Sequence, residues 1–267
     1  MKEIAPSDDA DLEDTLTEIA LQNMASKGHK NIIGINKSYE CNDKKDNMDK
    51  FYLIMEWMDA GDLSTMLKTI PGEFSEEVIV YILKEILTAL SHMHDNNQIH
   101  RDLKPLNVML TTDGKIKLGD FGLAAQLVQD EYHQKEIKGT PKWMAPEILV
   151  TKPYNELVDI WSLGIIAYEL ALGKNPYQGR TLNMIMKAAK REPAPAIEDT
   201  GKWSPEFLDF VNNRCLVKNP AKRADSHELL NFHPLMTKLY PDSDELFDSY
   251  LMHLTNYMNT PKFKSKF

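Results

Sequence analysis

Apolar residues recur at roughly helical spacing over residues 11–27, at Leu12, Leu16, Ile19 and Met24, with acids early and a stop at Gly28. This predicts a helix. Two short β-rich runs follow, NIIGINKSY and FYLIMEWM, separated by the polar segment CNDKKDNMDK. They predict two antiparallel strands joined by a solvated loop. From Ser75 the period lengthens again. SEEVIVYILKEILTALSHMHDN has an N-cap serine, acids in its first turn and apolar residues at Val78, Ile82, Ile86 and Leu90, the pattern of a long amphipathic helix. NVMLT and KIKLGD flank the turn pair Asp113-Gly114 and predict a hairpin. VDIWSLGIIAYELAL is apolar all round and closed by Gly173, which predicts a buried helix. The remainder is helical in pattern and punctuated by proline. Its last stretch carries Leu246, Phe247, Tyr250, Leu251, Leu254 and Met258 at helical spacing. That predicts a helix docked on the larger lobe, with a tail for a regulatory partner as the other reading. The fold class is α+β and bilobal: a small strand-bearing lobe over 1–58, a larger helical lobe over 59–239 and a helical tail over 240–267.

Composition narrows the function classes. The chain has 267 residues and a formal net charge of -9, which disfavours nucleic acid or an anionic membrane as the main partner, because such binding needs clustered Lys and Arg. Cys41 and Cys215 match no metal-ligand spacing and are too few for a disulfide framework, so they read as reduced thiols. No run approaches a membrane span, and the acidic start MKEIAPSDDADLEDT is unlike a signal peptide. A cytoplasmic location is expected, with the nucleus open.

Candidate chemistry lies between the long helix and the buried one. His100-Arg101-Asp102-Leu103-Lys104-Pro105-Leu106-Asn107 is followed, thirteen residues after Asn107, by Asp120-Phe121-Gly122. Hard oxygen ligands on both arms of one hairpin can converge on a metal that also binds phosphate. Ala145-Pro146-Glu147 and Asp159-Ile160-Trp161-Ser162-Leu163-Gly164 come next in order. With them the chain resembles the eukaryotic protein kinase domain. The resemblance implies a protein-kinase-like fold, ATP and Mg2+ as cofactors and proteins with Ser/Thr acceptors as substrates. It implies Asp102 as the base orienting the hydroxyl, Lys104 on the transferring phosphate, and Asn107 and Asp120 as magnesium ligands. It further implies that Thr140, in Gly139-Thr140-Pro141-Lys142-Trp143-Met144, bridges Asp102 and Lys104, the mark of serine/threonine specificity. Glu147 is expected to pair with Arg223, and Asp159 to hold the catalytic-loop backbone. GTPKWMAPE, VDIWSLGI and RCLVKNPAKR are most similar to the sterile-twenty group, with Lys142 departing from its usual aromatic.

The hinge of the family resembles FYLIMEWM, which makes Met55 the gatekeeper, Glu56 and Met58 the backbone contacts to adenine, and Asp62 a contact to ribose. No G-x-G-x-x-G occurs in the chain, so the small lobe reads as lacking the glycine-rich loop. Lys2, sixteen residues before Glu18, is the candidate phosphate lysine with Glu18 as its acid, the other reading being a solvated terminal lysine. Gln22 falls where the family expects an apolar residue. Two functions stand at this point: a serine/threonine protein kinase, and a kinase-fold scaffold with weak or no catalysis. No Ser or Thr lies between Phe121 and Gly139, so an activating phosphosite is missing; Glu136 reads either as the partner of Arg101 in its place or as one of several solvated charges, with Tyr132 a more distant phosphosite.

Overall fold

The computed structural model describes residues 1–43, 48–72, 74–127, 137–239 and 243–265. The chain opens with β1 (Lys2–Ile4) and α1 (Asp9–Ser26), continues through β2 (Ile35–Asp43) and β3 (Met48–Met55), and enters the larger lobe at β4 (Gly61–Asp62). There follow α2 (Leu63–Thr69), α3 (Glu76–Asp95), β5 (Gln98–Ile99), β6 (Val108–Leu110), β7 (Ile116–Leu118) and β8 (Ala125–Gln126). The rest is helical: α4 (Pro146–Leu149), α5 (Leu157–Leu172), α6 (Leu182–Arg191), α7 (Pro205–Leu208), α8 (Ser226–Phe232), α9 (Ser243–Met258) and α10 (Pro261–Lys264).

Among the described residues these strands form three small antiparallel sheets, in the orders β1-β3-β2, β4-β6-β7 and β5-β8. In the first, Lys2 lies opposite Leu53 and Ile35 opposite Met55, so the register carries Lys2 to the end of β3 where the chain leaves for the larger lobe. The expected strand at residues 31–39 starts later than its apolar run. Asn31 to Ile33 turn their backbone to β7 instead: Ile33 N donates to Leu118 O at 2.8 Å, and Leu118 N to Asn31 O at 2.8 Å. Asn31 Nδ2 adds a bond to Ile116 O at 3.0 Å. This segment ties the two lobes together behind the cleft.

Helix ends follow local chemistry. Asp8 accepts from Asp11 N and caps α1, and Ser75 accepts from Val78 N and caps α3, whose first turn carries Glu76 and Glu77 against the helix dipole. Gly173 closes α5 in the left-handed region (φ 69°), which costs glycine little. The core centres on α3, which packs against α5, α8, α9 and β7. Leu246, Tyr250, Leu254 and Tyr257 are buried on α9. Docked on α3, this helix is part of the large-lobe core, and Tyr250 stacks on Tyr81 with ring centroids 4.8 Å apart. α5 is buried from Val158 to Ala167, with Leu172 exposed at its end, and at Gly164 a side chain would come within 2.7 Å of Cys215 Cβ.

Candidate active site

The loop between β5 and β6 is held from below by α5. Asp159 is fully buried, and its two oxygens accept from His100 N and Arg101 N, each at 2.9 Å, and from His94 Nε2 at 3.0 Å. Burial pushes this carboxyl up, but the His94 bond, the charges of His94 and His100 and the His100 amide carry it below the usual range. The anchoring is needed because Arg101 has φ 65°, a region that disfavours a side chain. Arg101 also donates through Nε to Leu123 O at 2.5 Å and through Nη2 to Ala124 O at 3.2 Å. Thus the loop and the segment after Asp120 are fixed to each other.

Asp102 is 8% exposed and each of its oxygens has a donor. Thr140 Oγ1 donates to Oδ1 at 2.7 Å, and Lys104 Nζ to Oδ2 at 2.5 Å and to Thr140 Oγ1 at 2.9 Å. The three side chains close a triangle. Its third corner is reached only because Gly139 lets two backbones touch: φ there is 124°, and a Cβ would stand 2.5 Å from Arg101 O.

Asn107 precedes β6 and Asp120 follows β7, so the hairpin register (Val108 opposite Leu118) brings them together. Asn107 Nδ2 donates to Asp102 O at 2.9 Å, which leaves its amide oxygen for the cleft. Asp120 has φ 61° and a half-exposed carboxylate. Lys2 Nζ lies 2.5 Å from Glu18 Oε1 and 3.5 Å from Asp120 Oδ1. A cavity of about 230 Å³ is lined by Lys2, Glu18, Gln22, Met55, Asn107 and Asp120, among others. An amide oxygen and a carboxylate beside a lysine are a hard-oxygen donor set, suited to a magnesium ion shared with phosphate.

Asp62, expected at a ribose, spends both oxygens capping α2, accepting from Thr65 N and Thr65 Oγ1 at 2.8 Å each. Glu56 Oε2 pairs with Lys117 at 2.5 Å while Oε1 accepts from Gly34 N at 3.2 Å, so its side chain braces the hinge from behind. Met58 is buried, with its carbonyl accepting from Gly61 N at 3.2 Å. Gln22 is 1% exposed and donates to Ile33 O at 3.0 Å, a polar link where an apolar contact was expected. Beneath the site Arg223 meets Glu147 in a two-pronged pair at 2.6 and 3.1 Å. Glu136 and Tyr132 lie outside the described residues.

One group carried no sequence signal. Glu169, on the all-apolar α5, accepts from Trp143 Nε1 at 2.7 Å. Burial pushes its carboxyl up to about 7, against the pull of Trp143, Asn175, Lys142 and Lys68.

The chain is similar to known proteins along most of its length. The protein kinase domain family matches residues 1–236. The Dictyostelium discoideum serine/threonine-protein kinase pakC is 39% identical over 231 residues, 86% of this chain and 46% of that protein. The Schizosaccharomyces pombe serine/threonine-protein kinase ppk11 is 40% identical over 195 residues, 73% of this chain and 61% of that protein. The Dictyostelium serine/threonine-protein kinase dst1 is 36% identical over 238 residues, 89% of this chain and 31% of its own length. The chain thus spans less than two thirds of each of these relatives. With its hairpin-borne Asn107 and Asp120, and a match covering most of its residues, the chain belongs to the protein kinase domain family and within it resembles the serine/threonine, sterile-twenty-like members.

Proposed function

We propose that the chain transfers the γ-phosphoryl group of ATP to serine or threonine hydroxyls of protein substrates. The observation that carries this reading is the triangle of Asp102, Lys104 and Thr140 beside Asn107 and Asp120. A hydroxyl placed at Asp102 is oriented by a carboxylate whose own position is fixed by Thr140 and Lys104, and its proton has an acceptor there. Lys104 puts a cation beside the group that gains charge during transfer. Asn107 and Asp120 would hold the magnesium ion, which when bound neutralises phosphate oxygens. Lys2, held by Glu18, would face the remaining phosphates. Preorganisation of these groups supplies the catalysis, since the reaction asks the protein for positioning and charge rather than for covalent chemistry. No helix among the described residues is long and apolar enough to cross a membrane, and a cytoplasmic setting is part of the proposal.

The test is Asp102→Asn with Mg-ATP and a mixed Ser/Thr peptide library. Turnover should be lost while Mg-ATP affinity by calorimetry stays within about twofold, since only the hydroxyl-orienting group changes. Turnover above about a tenth of wild type would remove Asp102 from the chemistry. Asp120→Asn should instead weaken Mg-ATP binding, and affinity unchanged by that substitution would favour a scaffold of kinase fold.

A further inference from the structure

Next to the triangle lies a second cavity, of about 360 Å³, that the reaction as described does not use. It shares a wall with the site, because its lining includes Pro105, adjacent to Lys104, and Lys142 and Trp143, just beyond Thr140. Lys68 from the last turn of α2 and Lys174 after the end of α5 complete a ring of three lysines around Glu169. Among the described residues none of the three makes an ion pair or hydrogen bond with the protein. In a chain of net charge -9, three uncommitted cations at one pocket are a local reversal of sign. The one acid there is weak opposition. Glu169 already accepts the Trp143 indole, and burial pushes its carboxyl up to about 7, which lessens its charge near neutral pH. Lys68, Lys142 and Lys174 line the same cavity as that carboxyl, and the charges of Lys142 and Lys68 pull on it.

We infer that this pocket receives an anionic side chain of the protein substrate, a carboxylate or a phosphorylated residue, a few positions from the accepting hydroxyl. The inference rests on the kinase reading above and adds the substrate's charge. A peptide whose hydroxyl reaches Asp102 has to lay neighbouring residues along Pro105 and Lys142, and the lysine ring selects among them by sign. An Arg or Lys at that position meets three like charges, which makes the discrimination repulsive as well as attractive.

The test separates binding from turnover. Labelled peptides with alanine at the acceptor are titrated against the full chain by fluorescence anisotropy, with Asp, phosphoserine, Ala or Arg scanned through the flanking positions. At one position Asp and phosphoserine should tighten binding about tenfold over Ala, the yield of two or so partly exposed ion pairs, and Arg should weaken it. The gain should shrink as salt rises. Lys68→Glu with Lys174→Glu, both on exposed side chains, should erase the preference. A phosphoserine advantage well beyond that of Asp would identify a previously phosphorylated substrate, and equal gains a plainly acidic one. Tighter binding of Arg peptides, no response to charge at any position, or a preference that survives the double substitution overturns the proposal. Phosphate transfer to the serine versions reads the kinase assignment alone, so acidic preference without transfer would remove that assignment and leave the pocket standing.

Discussion

A Cβ at Gly139 would stand 2.5 Å from the carbonyl of Arg101, which Asp159 holds in place from the other side. Gly139→Ala should therefore push Thr140 away from Asp102 and lower turnover on the order of a hundredfold, as small misplacements of reacting groups do. Stopped-flow or steady-state kcat with ATP affinity measured alongside checks this; a variant with normal kcat would mean that Thr140 does not position Asp102. Glu169 gives a prediction of a different kind. Its folded carboxyl titrates at about 7 against an ordinary value of 4.5, so the folded state keeps a proton that the unfolded chain releases. Stability from this group is thus highest below pH 4.5 and falls as pH rises to 7, by about 3 kcal/mol. Gln at this position still accepts the Trp143 indole but cannot ionise. Glu169→Gln should match wild type in urea unfolding at pH 5 and exceed it at pH 8. Burial sets the gap, and Trp143, Asn175, Lys142 and Lys68 narrow it. Asp102, Asn107 and Asp120 stood out because HRDLKPLN and DFG resemble the kinase motifs in order and separation. Glu169 was not, since a single acid in an apolar helix has no periodicity to mark it.

Whole elements were legible wherever capping, burial pattern and length agreed. Ser75 with Glu76 and Glu77 announces α3, and the apolar run closed by Gly173 announces α5. The segment 31–33 misled, because β-branched residues suit any extended backbone and the run does not say which strand it will bond. Its hydrogen bonds go to β7, and only the folded chain reveals that neighbour. Elements α4 and α5 are joined to the turn at 220–223 through Glu147 and Arg223, whose side chains are 4% and 0% exposed. Breaking a buried pair strands the remaining charge, so Glu147→Ala should lower unfolding free energy by about 3–5 kcal/mol in denaturant titration. A loss below about 1 kcal/mol would mean that the pair is solvated in solution.

At the scale of the whole molecule, α9 belongs with the core that supports the site. Tyr250 is fully buried, and its hydroxyl has no hydrogen-bond partner among the described residues. Tyr250→Phe should therefore leave the melting temperature unchanged or raise it slightly, because nothing but an unpaired hydroxyl is removed. Tyr250→Ala leaves a cavity against Tyr81 and should cost about 3–5 kcal/mol. A Phe variant as unstable as the Ala variant would reveal a buried water or bond at the hydroxyl. The same helix lays Phe247 over the turn of the hairpin that carries Asn107 and Asp120: a Cβ at Gly114 would lie 2.7 Å from its ring. During synthesis that turn leaves the ribosome long before its cover does. At ~5–20 residues per second the delay between Gly114 and Tyr257 is on the order of ten seconds, and domains fold as their chain emerges. For that interval the part of α3 that α9 covers is open, so the nascent chain presents apolar surface to its surroundings until α9 arrives.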